Sequence, residues 1–138
     1  MKRKYRCKTP VHNNVLDNIQ RAILCHNYAV KGIQLRYIIT ALDLSIISSL
    51  INQNILPVSV IAGLINRSKV AVYAVCRRCI DSGIIEQVGV QKRYRLTLLG
   101  IEVYNSYLAN YAVMAANLDK LEDMRIERMQ RKRGNNTE

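Results

Sequence analysis

Seven cations stand between residues 67 and 95, namely Arg67, Lys69, Arg77, Arg78, Lys92, Arg93 and Arg95, against only Asp81 and Glu86. Cations set this densely suit a polyanion, because each one that neutralises a phosphate releases condensed counterions. Lys69, Arg77, Lys92 and Arg93 fit phosphate clamping and base reading. Arg78 and Arg95 stay open between phosphate contacts and intrachain ion pairs. The second chemically competent group is the pair Cys76 and Cys79, whose C-x-x-C spacing is half of a zinc site or a redox couple. A zinc site needs about four ligands, so Cys7, Cys25, His12 or His26 would have to arrive from the N-terminal helix. The pair also falls on the apolar stripe of a helix, which points to buried packing. His26 reads as a partly exposed helix residue, with an effector contact as the alternative. Tyr104, Tyr107 and Tyr111 recur at helical spacing and read as packing in a dimer core, the alternative being the lining of an effector pocket. No nucleotide-binding glycine loop and no acid/base cluster is visible, so no catalytic residue, metal site or cofactor is assigned.

The elements that must position these groups follow from periodicity and capping. The order from residue 56 to residue 94 is a short helix, a sharp turn, a second helix with exposed cations, and a strand–turn–strand with a basic tip. That is the layout of a winged helix-turn-helix, whose usual work is to put one helix into the major groove of DNA. Pro57 and Ser59 open the first short helix, 58 to 64, and Asn66-Arg67-Ser68 makes the turn. Ser68 is an N-cap for the helix 69 to 82, and Gly83 follows it as a C′ residue. Val72, Val75, Cys76 and Cys79 share the inner stripe; Lys69, Val70, Tyr73, Ala74 and Arg77 share the outer one. The start of that helix also carries the positive end of the macrodipole, which favours phosphate. Residues 84 to 88 read as a strand, 89 to 92 as a turn, and 93 to 96 as its return.

On either side lie longer helices. The first spans about 11 to 31, with Pro10 near its first position and Gly32 as its expected stop. Residues 33 to 39 are ambiguous between strand and helix end. Thr40 and Asp43 form a capping pair for a helix whose apolar residues Leu42, Leu44, Ile46, Ile47, Leu50 and Ile51 face inward; Asn52, Gln53 and Asn54 end it. Thr97 caps the last and longest helix, 98 to about 131. Its positions Ile101, Tyr104, Leu108, Tyr111, Ala115 and Leu118 step close to a heptad. Leu121 and Met124 come one residue early, which predicts a stutter or a break into two helices.

Composition sets outer bounds. A chain of 138 residues is expected to form one domain with a real core. With eight Tyr and neither Trp nor Phe, stacking on single-stranded bases is poorly supplied. The formal charge of +11 favours polyanionic partners. Lys2, Arg3, Lys4, Arg6 and Lys8 make residues 1–9 a basic, disordered arm, open between a minor-groove or phosphate contact and a plain solvated tail. Residues 134–138 are expected to be a disordered tail. Four cysteines are too few and too irregular for a disulfide scaffold. No signal peptide and no membrane span is expected, and a reducing cytoplasm is the expected compartment.

At this level the chain resembles the MarR-type transcriptional regulators, a branch of the winged-helix superfamily. The resemblance covers roughly residues 40 to 110. It rests on the run Leu56-Pro57-Val58-Ser59-Val60-Ile61-Ala62, the turn ending in Ser68, the segment Asp81-Ser82-Gly83-Ile84-Ile85, and Tyr94-Arg95-Leu96-Thr97-Leu98-Leu99-Gly100. It implies an obligate dimer with interleaved terminal helices and two winged lobes on successive major grooves. It also implies an effector cavity in some members or a redox-sensing cysteine in others. The chain departs from the pattern in its short wing, 89 to 93, and in carrying Val70 and Tyr73 where small polar residues are common.

The resulting expectation is a mostly α, α+β chain: a winged helix-turn-helix domain over residues 10–133. Its DNA-binding lobe spans about 40–97, and its dimerisation helices span about 11–31 and 98–131. The expected function is sequence-specific binding of double-stranded DNA as a homodimer, as a non-enzymatic transcriptional regulator. The helix 69–82 enters the major groove and the wing 88–93 lies on the backbone. Ser68, Lys69, Val70, Tyr73, Ala74, Arg77, Lys92 and Arg93 form the DNA-binding set; a small-molecule effector of unknown identity is left open. The rival readings are a winged-helix protein-interaction or plasmid and phage replication module, and a thiol- or metal-dependent sensor built on Cys76 and Cys79.

Overall fold

The computed structural model describes residues 14–52 and 55–136. The basic arm, together with Cys7, Pro10, His12, Gln53, Asn54 and residues 137 and 138, lies outside the described residues. The elements are α1 (Asn14–Arg36), α2 (Ala41–Ile51), β1 (Leu56–Pro57), α3 (Val58–Ile65), α4 (Lys69–Asp81), β2 (Ile85–Gln87), β3 (Arg93–Leu96) and α5 (Leu98–Asn136). The fold is mostly helical with a small antiparallel wing, as the pattern predicts. Among the described residues no single helix is long and apolar enough to cross a membrane.

Contacts divide the chain into two compact units, one of residues 30–109 and one of residues 1–29 with 110–138. The 30–109 unit has its own core, in which Ile33, Ile46, Ile47, Ile61, Val72 and Val103 are fully buried. The start of α2 is fixed by a capping box: Thr40 Oγ1 accepts the Asp43 N–H at 3.1 Å while Asp43 Oδ2 accepts the Thr40 N–H at 2.8 Å. Between α3 and α4 the chain turns through 107°, within the range of a helix-turn-helix. Asn66 makes that turn in the left-handed region, φ 56°, which Asn tolerates better than other side-chain-bearing residues. The end of α4 is a Schellman closure. The Gly83 N–H donates to Ile80 O and the Ile84 N–H to Cys79 O, with Gly83 at φ +81°.

The sheet order is β1-β3-β2, antiparallel throughout. β2 and β3 form the expected hairpin, with Ile85 opposite Leu96 and Gln87 opposite Tyr94. The third strand was not expected. Leu56 and Pro57, read as the approach to α3, pair with Tyr94 and Arg93. A two-residue strand has no period to detect, and Pro57 is tolerated because β1 is an edge. α5 begins at Thr97, whose Oγ1 accepts the Gly100 N–H at 3.2 Å and donates to Ile84 O at 2.9 Å. Gly100 is required here: a Cβ at this position would lie 2.3 Å from Ile84 O.

Two expectations about the long helices are corrected. Gly32 does not stop α1, which runs on to Arg36. A glycine inside a helix costs about 1 kcal/mol, and burial of Ile33 at 1 % exposure outweighs it. α5 is one unbroken helix of 39 residues, with neither the break nor an end at 131. Leu121 and Met124, which disturb the heptad, are 60 % and 54 % exposed, so no buried seam forces a change of register there.

The other unit pairs the first part of α1 with the last part of α5. Arg21 Nη2 lies 2.6 Å from Asp119 Oδ1 and also reaches Ala115 O at 3.5 Å. Among its described residues only Cys25 and Ala29 are buried.

Candidate nucleic-acid interface

α4 is built to show one face and hide the other. Val72, Val75, Cys76 and Cys79 are its buried residues, the stripe that periodicity predicts. Lys69, Val70, Tyr73, Ala74 and Arg77 are all exposed, Val70 at 79 %. Ser68 Oγ accepts the Ala71 N–H at 3.2 Å, so the cap is present and the helix starts at Lys69 with its positive end open to solvent. Arg67, in the turn just before, is exposed as well.

The wing follows β2. Val88 N–H donates to Arg93 O at 2.9 Å and closes the loop; Gly89 takes φ +72°. Lys92 and Arg93 are exposed at its return. The Lys92 ammonium lies 4.8 Å from the centroid of the Tyr73 ring. The structure thus joins two members of the expected DNA-binding set to each other.

The structure also separates the cations by role. Arg78 donates to Asp43 Oδ1 at 2.6 Å and to Thr40 Oγ1 at 3.3 Å. The Asp43 carboxylate raises the Arg78 pKa, through that hydrogen bond first and its charge second. Arg95 lies opposite Glu86 across β2 and β3 and pairs with it at 2.9 Å. Both arginines left open by the sequence are therefore engaged within the chain. Lys69, Arg77 and Arg93 have no acidic partner among the described residues.

Asp43 is the residue that sequence reasoning undervalued. It reads as a capping aspartate, and it is; but it is also 3 % exposed and receives Arg78 and the Cys79 thiol, the latter at 3.5 Å. The capping signal is local, whereas Arg78 is 35 residues away, so nothing in the spacing announces the pair. An open cleft of about 570 Å³ lies beside it, lined by Gln34, Tyr37, Ile39, Thr40, Arg78 and Ser82 among others.

Cys76 and Cys79 are both 0 % exposed, which fits the packing reading. Burial pushes the Cys76 thiol up to about 11. It pushes Cys79 up further, with the Asp43 charge adding to the effect. Such thiols are neutral and inert at ordinary pH. Among the described residues no group of three or more His, Cys, Asp or Glu side chains could hold a metal ion. The Tyr104 and Tyr107 rings lie 6.0 Å apart between centroids, tilted by 31°, and pack against the core of the 30–109 unit.

A three-stranded antiparallel wing, a capped helix-turn-helix and an exposed cationic helix face define a winged-helix fold. The sequence matches no family model and no curated protein. Solved structures do match. The transcriptional regulator Tm0710 from Thermotoga maritima superposes with a TM-score of 0.67 at 12 % identity, covering 88 % of this chain and 91 % of that one. The multiple antibiotic-resistance repressor MarR from Listeria monocytogenes gives 0.65 at 15 %, covering 88 % and 87 %. A MarR family protein from Bacillus stearothermophilus gives 0.63 at 18 %, covering 90 % and 94 %. The chain has the MarR-type winged-helix fold.

Proposed function

We propose that this chain binds double-stranded DNA as a homodimer and acts as a transcriptional regulator, without catalysis. α4 enters the major groove with Lys69, Val70, Ala74 and Arg77 toward the bases and Tyr73 beside them. Ser68 caps the helix at the phosphate backbone, and Lys92 and Arg93 hold the backbone from the wing. The observation that carries this reading is the division among the cations. Arg78 and Arg95 are paired within the chain. Lys69, Arg77 and Arg93, on the face that a groove-reading helix and its wing present, have no acidic partner among the described residues. The fold it shares with a transcriptional regulator from Thermotoga maritima and the MarR repressor from Listeria monocytogenes supports it.

The homodimer rests on the surface of the unit made by 1–29 and 110–138. Ile19, Ile23, Leu24 and Tyr28 on α1, and Val113, Leu121, Met124, Ile126 and Met129 on α5, are exposed. Apolar surface of this extent asks for a cover, and a second copy supplies the same faces by two-fold symmetry.

The test is the salt dependence of duplex binding. The two backbone-holding cations of each protomer, Lys92 and Arg93, give about four phosphate contacts per dimer and a log–log slope of about −4. Fluorescence anisotropy with a duplex recovered from a random pool measures it. A slope near zero, or no duplex recovered, removes the reading.

A further inference from the structure

Tyr73 is the member of the exposed α4 face whose surroundings do not suit base reading. Its ring is covered on one side by the Lys92 ammonium, 4.8 Å from the centroid. Lys92 in turn uses its backbone elsewhere: its carbonyl accepts the Val58 N–H, at the start of α3, at 3.1 Å. The remaining bonds of the wing are internal. Val88 donates to Arg93 O, Arg93 to Gln91 O, and the Gln87 amide to the Gly89 and Gln91 carbonyls. Val90, at the tip, is 98 % exposed. Among the described residues, residues 89–92 are thus attached to the helices by one hydrogen bond and one cation–ring contact, and both belong to Lys92. Tyr94 of β3 is 3 % exposed; its phenol is held protonated by burial first, then by Cys76 and by the neighbouring Tyr73.

We propose that Tyr73 is a positioning residue that seats the wing, by holding the Lys92 ammonium on its ring face and so fixing where the wing presents its cations. A lysine head on a free four-carbon stem samples many positions, and ordering it on binding costs affinity. A ring that holds it beforehand removes part of that cost. Cation–ring attraction at an exposed site corresponds to about two- to fivefold in an equilibrium constant. That the seated cation then serves phosphate rests on the DNA-binding reading above. On this assignment Tyr73 contributes to affinity for every duplex and not to the choice of base, which falls to Lys69, Val70, Ala74 and Arg77.

The test has two arms on the full-length protein. In the free protein, NMR of the Lys92 side chain should show its ε-methylene protons shifted upfield by the ring. Tyr73→Leu should return them to the free-lysine position, and Tyr73→Phe should restore the shift. Free-lysine shifts in the unsubstituted protein overturn the proposal, whatever DNA does. In the second arm, binding is compared for a selected and a random duplex. Tyr73→Leu should weaken both by the same factor, about two- to fivefold, and Tyr73→Phe should recover most of the loss. In a Lys92→Met background Tyr73→Leu should add nothing, because the two side chains act as one device. Loss confined to the selected duplex, or effects of Tyr73→Leu and Lys92→Met that multiply, overturn the positioning role. Upfield Lys92 protons in a protein that binds no duplex uphold the seat and refute the DNA-binding reading instead.

Discussion

In the 30–109 unit Ile46, Ile47, Ile61, Ile85 and Val103 keep 1 % of their surface or less. In the α5 part of the other unit, Leu121, Met124, Ile126 and Met129 keep between 43 % and 60 %. Both regions have apolar residues at helical spacing, so the difference is not one of composition. The winged lobe closes its apolar faces by crossing short elements: α2, α3 and α4 pack on a sheet that ends at Tyr94 and Leu96. Two helices facing each other along their length have no third layer, and each retains an apolar face toward solvent. On the dimer reading, the first core is a matter of intrachain packing and the second of association.

The sharpest way to break this comparison is to charge the uncovered faces. Each carboxylate trapped unpaired in a dimer interface costs about 3–5 kcal/mol. Ile23→Asp combined with Met124→Asp is therefore expected to weaken association about 100-fold or more. In the unsubstituted protein the thermal midpoint should rise with concentration. Light scattering and melting at two concentrations check both. A folded monomer with a concentration-independent midpoint would show that the exposed faces need no partner.

A large effect within the lobe is expected at Gly100, where an added Cβ meets the Ile84 carbonyl at 2.3 Å. Gly100→Ala should cost about 1–3 kcal/mol, read as a lower urea midpoint. An unchanged midpoint would mean that α5 does not approach the Ile84 carbonyl this closely.

A third expectation follows from the buried thiols. Cys76 has its pKa raised from 9.0 to about 11, and Cys79 is shifted in the same direction. The unfolded chain therefore loses these protons at lower pH than the folded one. Their contribution to stability is complete below pH 9 and declines as the pH rises through the folded values. By pH 10 the loss attributable to Cys76 is about 1 kcal/mol. Cys76→Ala should flatten the pH dependence of the unfolding free energy between neutral and alkaline pH. A slope identical to that of the unsubstituted protein would contradict the burial argument.

The smallest effect is expected in the terminal unit. Asp119→Ala removes the carboxylate that meets Arg21 at 2.6 Å, but Asp119 is 70 % exposed. Solvent screens such pairs to about 0.5 kcal/mol or less. A much larger loss in the unfolding free energy would mean that the pair is desolvated in the assembled protein, and would strengthen the case for a cover over that unit.

Much of the fold was legible because its signals are local. Thr40 with Asp43, Ser68, Gly83 and Thr97 each cap through bonds to residues a few positions away. The alternation of buried and exposed positions on α4 follows from 3.6 residues per turn alone. The composition and order of elements carried the winged-helix class, and with it the set of cations worth testing. What the sequence left ambiguous was settled by competition between local rules and distant packing. Gly32 is a helix stop by local chemistry, yet burial of Ile33 carries α1 past it. Leu121 and Met124 break a heptad by spacing, yet α5 runs on through them unbroken.

Tertiary structure alone decided the long-range pairs. β1 exists because Leu56 and Pro57 meet Tyr94 and Arg93, a pairing with no signature in two residues. Arg78 is withdrawn from the unpaired set because Asp43 is brought within reach of it, and Arg95 because the hairpin register sets Glu86 opposite. Lys92 is placed on Tyr73 by the same register, acting through the turn that precedes β3. Sequence by itself determined which side chains are cationic, which helix faces are apolar and where helices begin, since these depend on neighbours within about four residues. Which cations are paired inside the chain and which are not depends on contacts between elements far apart along it, and only the folded chain brings those together.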